Sequence, residues 1–258
     1  MFSFFRKKEA ITNEVKEGFV QDYNNIAPIA AYFKDETGVT FDKQESILRN
    51  KVTTFCKQRK IGSFAKLLEK IKYDREIKQE LIDTLTTNET FFYREFKQIE
   101  ELVKLVKDTN KKVDILCAPS ATGEEPYSIA IALLEAGVAQ SSFHITGIDI
   151  NSDAINRAKE AKYKERNIRN LSVHTIDRYF TINDNLYVLR DSVKSLVTFK
   201  IVNIFDPSFA AIGKFDFIFS RNMLIYFDKE TKLKAKNILE GLRKNPNQDI
   251  FFGHADLF

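Results

Sequence analysis

The strongest constraint on this chain is a rhythm that begins at Lys112, where short apolar, β-branched runs alternate with helical stretches. The run KVDILCA (112–118) meets a small-residue turn, PSATG, and then the helical EEPYSIAIALLEAG. A second run, FHITGIDI (143–150), precedes the helical SDAINRAKEAKY. VTFKIVNIFD (197–206), FDFIFSRN (215–222), the helical KETKLKAKNILEGLRK and QDIFFGHA (248–255) continue the series. Runs that are apolar throughout suit strands buried on both faces, and strand–helix repetition predicts an α/β fold built on a parallel sheet. Ligands of such sheets sit at the carboxyl ends of the strands. The loops after Ala118, Ile150, Asn203 and Arg221 are therefore where chemistry is expected. RYFTINDNLYVLR (178–190) interrupts the rhythm and reads as an inserted hairpin turning at the polar Asn183-Asp184-Asn185.

Ahead of this series the chain changes character. Between Lys43 and Arg75 there are ten Lys/Arg against three acids, a local charge of +7 within a net charge of only +4. Leu48, Val52 and Phe55 make one helical stripe; Phe64, Leu67, Leu68 and Ile71 make a second after Ile61-Gly62-Ser63. A small all-helical module over residues 1–75 is expected. Its lysines are either a solvated face or a docking surface for an acidic partner. At 258 residues and 43% hydrophobic, the chain has room for one α/β core plus such a module, and no extreme of composition argues for disorder. The opening MFSFFRKKEA lacks the apolar stretch of a signal peptide, and no run reaches transmembrane length, so a cytoplasmic protein without membrane insertion is expected. Cys56 and Cys117 lack metal-ligand spacing and read as reduced thiols; His144, His174 and His254 are scattered and receive no catalytic or metal role.

Three stretches bear on chemistry. In TTNETFFYRE (86–95), the spacing Phe92, Phe96, Ile99, Val103, Val106 predicts a helix whose first turn contains Arg94, a poor position for a cation. An anionic partner for Arg94 would explain it, while the threonines and Asn88 also suit simple helix capping. In APSATGEE only Gly123 is glycine, and Asp149 follows 26 residues later. Glu124 and Glu125 at a helix start repel phosphate. They suit a cationic ligand such as the amino and sulfonium groups of S-adenosylmethionine (SAM), or simply pair with the helix dipole. Tyr226 in MLIYF is either an ordinary buried tyrosine or a placed hydroxyl donor.

TTNETFFYRE, SATGEEPYSIAI, GIDINSDAINRAKEAKY and FDFIFSRNMLIYFDKET, in this order, resemble the CheR family, the chemotaxis receptor methyltransferases. IRNLSVHTIDRYF is also similar, as is the closing GHADLF, where the family usually has Gly-His-Ser-Glu. The resemblance runs from about Gln44 to the C-terminus. It implies a class I SAM-dependent methyltransferase with a Rossmann-like sheet: an N-terminal helical receptor-docking domain (1–75), a methyltransferase domain (76–258) and an inserted β-hairpin subdomain (178–196). It also implies SAM as cofactor without metal, esterification of glutamate side chains on cytoplasmic chemoreceptor helices, and recruitment to membrane-bound receptor arrays.

Carried over residue by residue, Asn88, Thr90 and Arg94 would meet the methionine portion of the cofactor or the transfer site. Gly123 and Glu124 would lie close to the cofactor, Asp149 would bind its ribose, and Asn203 with Ile204 would flank its adenine. Arg221, Asn222 and Tyr226 would complete the pocket, with Arg94 and Tyr226 aligning the substrate carboxylate. Arg49, Lys51, Lys57, Arg59 and Lys60 are expected to dock the acidic receptor helices. Departures from the family are Pro119, where some members have glycine, and a hairpin without the glycine-containing extension that grips a receptor's C-terminal pentapeptide. Receptor binding without that tether is expected. The sequence also stops after GHADLF where relatives continue, which leaves the last sheet strand in question. The alternatives are a nucleic-acid methyltransferase using the basic helices, against which SRNMLIY lacks the Asn/Asp-Pro-Pro-Tyr/Phe loop, and a non-catalytic SAM-binding adaptor.

Overall fold

A computed structural model describes residues 22–42, 44–109 and 111–256; the opening MFSFFRKKEA lies outside them. Residues 22–85 hold four helices: α1 (Ala27–Thr37), α2 (Glu45–Gln58), α3 (Phe64–Tyr73) and α4 (Arg75–Leu85). Leu48, Val52 and Phe55 of α2 and Phe64, Leu67 and Ile71 of α3 repeat at three- and four-residue spacing, so each set forms one stripe. Both stripes bury against Leu81, Ile82 and Leu85 of α4. The helical core therefore runs to Leu85, past the boundary expected at residue 75. Between α3 and α4 lies only Asp74, whose carboxylate accepts from the amides of Glu76 and Ile77 at 3.1 Å, a cap rather than a linker.

The helix expected to open inside TTNETFFYRE starts later, as α5 (Phe96–Lys107), and none of Thr86, Thr87, Asn88 or Thr90 caps it. Phe92 explains the delay. Its ring is fully buried, edge-on to Tyr163 and Phe180 at 4.8 and 5.4 Å, and this anchor forces a turn before Ile99, Leu102 and Val106 can face the core. Tyr93 and Glu95 take left-handed φ of 57° and 50° in that turn. Arg94 thus precedes the helix and carries no first-turn dipole penalty.

The alternating series follows: β1 (Val113–Cys117), α6 (Glu124–Glu135), β2 (Phe143–Asp149) and α7 (Ser152–Glu160). After α7 come β3 (Lys162–Tyr163), α8 (Glu165–Ile168), α9 (Val173–Tyr179), β4 (Phe180–Asn183), β5 (Leu186–Leu189) and α10 (Asp191–Lys194). β6 (Val197–Ile201), β7 (Phe217–Ser220), α11 (Lys229–Glu240) and β8 (Phe251–Phe252) complete the order. Five strands form one parallel sheet, β6-β2-β1-β7-β8. Its side chains alternate between faces as a pleat requires: Val113, Ile115, Cys117, Phe217 and Phe219 join the core under α5 and α6, while Leu116 and Ile218 join the core under α11.

The inserted hairpin turns at Asp184-Asn185, both left-handed as a tight hairpin turn demands. Arg178 and Tyr179, expected within it, end α9 instead, and Lys162–Tyr163 adds a third antiparallel strand beside β5. That strand was hidden inside the helical reading of SDAINRAKEAKY: α7 stops at Glu160, and Ala161 turns the chain with φ 54°.

The helical module is seated over the carboxyl ends of the large sheet. Thr40 donates its amide to the Tyr226 carbonyl at 2.9 Å, and the Gln79 side chain donates to the Ile150 carbonyl at 2.8 Å. Asp83 accepts from the Ser152 amide at 2.7 Å, and Lys34 pairs with Asp228 at 2.6 Å.

Candidate active site

A cleft of about 490 Å³ opens between the module and the strand ends. The loops after β1, β2, β6 and β7 form its floor, as the rhythm of the sequence predicts. Its roof comes from Val39, Phe41, Ile47 and Lys51 of the helical module, and the segment Thr86–Thr90 with Arg94 closes one wall.

Asp149 ends β2 almost fully buried, and its carboxylate accepts from the amides of Ala121 and Asn151, each at 2.9 Å. Burial pushes its pKa up to about 6, against the pull of those amides. On the neighbouring loop, Arg221 is buried and pairs with Glu125, while its Nη1 donates to the Glu95 carbonyl at 3.3 Å. The other Glu125 oxygen, Oε1, is buried and has no partner among the described residues; the same is true of Ser120 Oγ. Both residues line the cleft. Orphaned buried acceptors cost roughly 1–3 kcal/mol each, a penalty that a ligand donor would relieve.

This changes the reading of the paired acids. Glu124, the expected cofactor contact, is wholly buried away from the cleft lining, accepting from Thr122 Oγ1 at 2.7 Å and Asn167 Nδ2 at 2.8 Å. Burial raises its pKa, with those two donors opposing. Gly123 does not line the cleft either. Its φ of 94° starts α6, and a Cβ there would lie 3.0 Å from the Ala158 Cβ and 3.1 Å from the Tyr163 hydroxyl. Glycine is needed to seat α6 against its neighbours. The structure assigns the cleft-facing role to Glu125, the next residue round the helix.

Asn88, Thr90, Arg94, Asp149, Asn203, Ile204, Arg221, Asn222 and Tyr226 all line the cleft. Arg94 is half-buried; one nitrogen donates to the Glu89 carbonyl at 3.1 Å, and the guanidinium lies 5.7 Å from the Phe91 ring. Tyr226 is 38% exposed rather than an ordinary core tyrosine. Burial and nearby Glu89 raise its pKa against the pull of Arg94, so the phenol keeps its proton at neutral pH. Asn203 lines the cleft with its amide already committed: Nδ2 donates to the Glu36 carbonyl at 2.7 Å, and Oδ1 accepts from the Phe205 amide at 2.9 Å. Asn222 takes a left-handed φ of 60°.

The five basic candidates of α2 and its end divide. Arg49 is held by the Tyr23 and Asn24 carbonyls and by Glu45, Lys51 donates to the Thr84 carbonyl at 3.1 Å, and Arg59 pairs with Glu80 over the Phe55 ring. Lys57 and Lys60 are exposed, and neither side chain has a partner among the described residues. His254 lies 2.9 Å from Glu95, and burial pushes the Cys56 thiol up to about 11, an inert state. Among the described residues no His/Cys/Asp/Glu group could hold a metal, and no helix is long and apolar enough to cross a membrane.

The residues present fit SAM. The orphaned Glu125 oxygen is an acceptor for an ammonium, Asp149 stands at the end of the second strand where ribose hydroxyls are taken in sheets of this kind, and the cleft volume suits a nucleoside-sized ligand. Comparison with known proteins agrees. Residues 88–258 match the family described as CheR methyltransferase, SAM binding domain. A chemotaxis protein methyltransferase of Campylobacter jejuni subsp. jejuni serotype O:23/36 (strain 81-176) is 38% identical over 222 residues, covering 86% of this chain and 84% of its own length. Chemotaxis protein methyltransferase 2 of Vibrio cholerae is 31% identical over 242 residues, covering 87% of this chain and 82% of its own. The chemotaxis protein methyltransferase of Escherichia coli K12 is 31% identical over 202 residues, covering 76% and 70%.

Proposed function

Because the chain belongs to the CheR family of SAM-dependent chemotaxis methyltransferases, we propose that its cleft esterifies glutamate side chains on the cytoplasmic helices of a chemoreceptor. The observation that carries this reading is the buried, unpartnered Glu125 oxygen among the strand-end loops, in a cleft that also carries Arg94 and Tyr226.

A glutamate carboxyl has an ordinary pKa of about 4.3, so at neutral pH it is already an anion and needs no base. When bound, SAM supplies an electrophilic methyl group. The protein's work is alignment and exclusion of water, with the carboxylate oxygen held about 3–3.5 Å from the methyl carbon. Arg94 offers a planar fork to a carboxylate, and the protonated Tyr226 hydroxyl adds one donor. Glu125, oriented by Arg221, takes the ammonium of the cofactor, with Asn88, Thr90 and Ser120 around its methionine portion. Asp149 accepts from the ribose hydroxyls, while Ile204 and the backbone at Asn203 flank the adenine. Asn222 closes the pocket.

The acidic receptor bundle docks on the basic end of α2, through Lys57 and Lys60 before Arg49, Lys51 and Arg59, whose side chains have partners within the molecule. Binding proceeds without a pentapeptide tether, and the enzyme works in the cytoplasm at receptor arrays. The chemotaxis methyltransferases among the relatives do not favour the nucleic-acid or adaptor alternatives.

The test is transfer of radiolabelled methyl from SAM to receptor-containing membranes. Label that mild base releases, and that is lost in Arg94→Ala with cofactor binding retained in calorimetry, supports carboxyl methylation aligned by Arg94. Base-stable label, or full activity in Arg94→Ala, overturns it.

A further inference from the structure

The closing GHAD turn holds a carboxylate that none of the cofactor or substrate contacts above uses. Asp256 is completely buried, and among the described residues no Lys, Arg or His pairs with it. Its partners are backbone amides. Oδ2 accepts from Asn222 and, at 3.2 Å, from Gly253; Oδ1 accepts from Ile225 at 3.2 Å. A buried carboxylate is costly unless donors surround it, and here they come from the loop that follows β7.

That loop needs such a clamp. Asn222 sits in the left-handed region, less favourable than the right-handed one though asparagine adopts it more readily than most residues, and Tyr226 follows at the end of a short 3-10 turn. Asp256 grips the loop at both positions, the amide of Asn222 at its start and the amide of Ile225 immediately before Tyr226. Gly253 makes the approach possible. A Cβ there would lie 2.9 Å from Asp256 Oδ2, 3.0 Å from the Asn222 amide nitrogen and 3.2 Å from Asn222 Nδ2. The Asp256 charge also reaches Tyr226, helping to keep its phenol protonated.

We propose that Asp256 is a positioning residue for methyl transfer: its carboxylate, admitted by Gly253, fixes the Asn222–Tyr226 loop so that the Tyr226 hydroxyl meets the substrate carboxylate. The proposal rests on the reading of Tyr226 as an aligner given above. It assigns to the end of GHAD a role in turnover that contact with ligand does not supply.

Asp256→Asn keeps the shape but turns an amide donor towards backbone donors. The expected result is about a tenfold fall in kcat, with the KM for receptor within about twofold and an unchanged circular dichroism spectrum. Gly253→Ala pushes on the same contact without touching the carboxylate and is expected to give the same split; it also serves if Asp256→Asn does not fold. The decisive comparison is with Tyr226→Phe. In that background, Asp256→Asn is expected to add little further loss, because both changes remove one function. Losses that multiply, or full kcat in both Asp256→Asn and Gly253→Ala, overturn the proposal while leaving the Tyr226 reading intact. Full kcat in Tyr226→Phe breaks that reading instead, and any loss in Asp256→Asn would then have to act by another route, which overturns the proposal as stated.

Discussion

The two ends of strands β1 and β7 handle charge in opposite ways. At their amino ends, Lys244 lies 2.6 Å from Asp114 and 2.7 Å from Asp216, and Asp216 also accepts from the Asp114 amide at 2.7 Å. The cluster is partly exposed, the two acids share one cation, and the backbone there is ordinary. At their carboxyl ends, the cleft-lining Ser120 and Glu125 each leave a buried oxygen without a partner among the described residues, and Ala121 and Asn222 take left-handed φ. Asp149 at the end of the neighbouring strand carries its raised pKa. Satisfied groups brace a fold, whereas unsatisfied and strained ones persist where a ligand completes them.

The comparison breaks most visibly if Arg221 is not needed at the carboxyl end. Arg221→Ala leaves Glu125 buried and uncompensated, with an expected loss of about 3–5 kcal/mol in urea unfolding together with activity. Next in size, Arg94→Ala removes a donor fork from the cleft but no core contact. Its kcat/KM for receptor is expected to fall about 30- to 100-fold while the unfolding midpoint holds.

The pH dependence sharpens the contrast further. With Asp149 at about 6 in the folded chain and about 3.9 unfolded, the folded state keeps a proton that the unfolded state releases. This group's penalty on stability is therefore full above pH 6 and fades as the pH falls towards 4. On the proposed contact of Asp149 with the ribose hydroxyls, made by the ionised carboxylate, SAM affinity in calorimetry is expected to drop about tenfold per unit below pH 6. Reversing Lys57 and Lys60 to glutamate is expected to weaken receptor methylation, mostly through KM and more so at low salt, with SAM affinity unchanged. The smallest effect belongs to the braced end: Lys244→Ala, in a half-exposed cluster, is expected to cost under about 1 kcal/mol and no activity. A large activity loss there would erase the distinction between the two ends.

Continuous apolar runs and a 3.6-residue periodicity located five strands and their covering helices. The strand ends then pointed to the loops of the cleft floor, while the family resemblance put Asp149 and Arg221 among the pocket residues. Those signals are local, because burial on both faces of a strand leaves its mark in consecutive residues. What the sequence left undetermined depends on contacts between distant segments. Whether Glu124 or Glu125 faces the cleft depends on the rotation of α6, set by Tyr127 donating to the Ala158 carbonyl and by Gly123 packing against Ala158. The turn that takes Arg94 out of α5 depends on Phe92 reaching Tyr163 and Phe180.

The sequence by itself thus determined the α/β sheet and pointed to its carboxyl ends, and the family resemblance supplied most of the residues that line the cleft there. Tertiary structure alone decided which acid is orphaned and which basic side chains are free. It also decided that a helical module, joined through contacts such as Asn203 with Glu36, forms the roof. The physical reason is that secondary structure is written in neighbouring residues, whereas orientation and satisfaction of polar groups depend on partners far along the chain, as with Asn203 and Glu36, 167 positions apart.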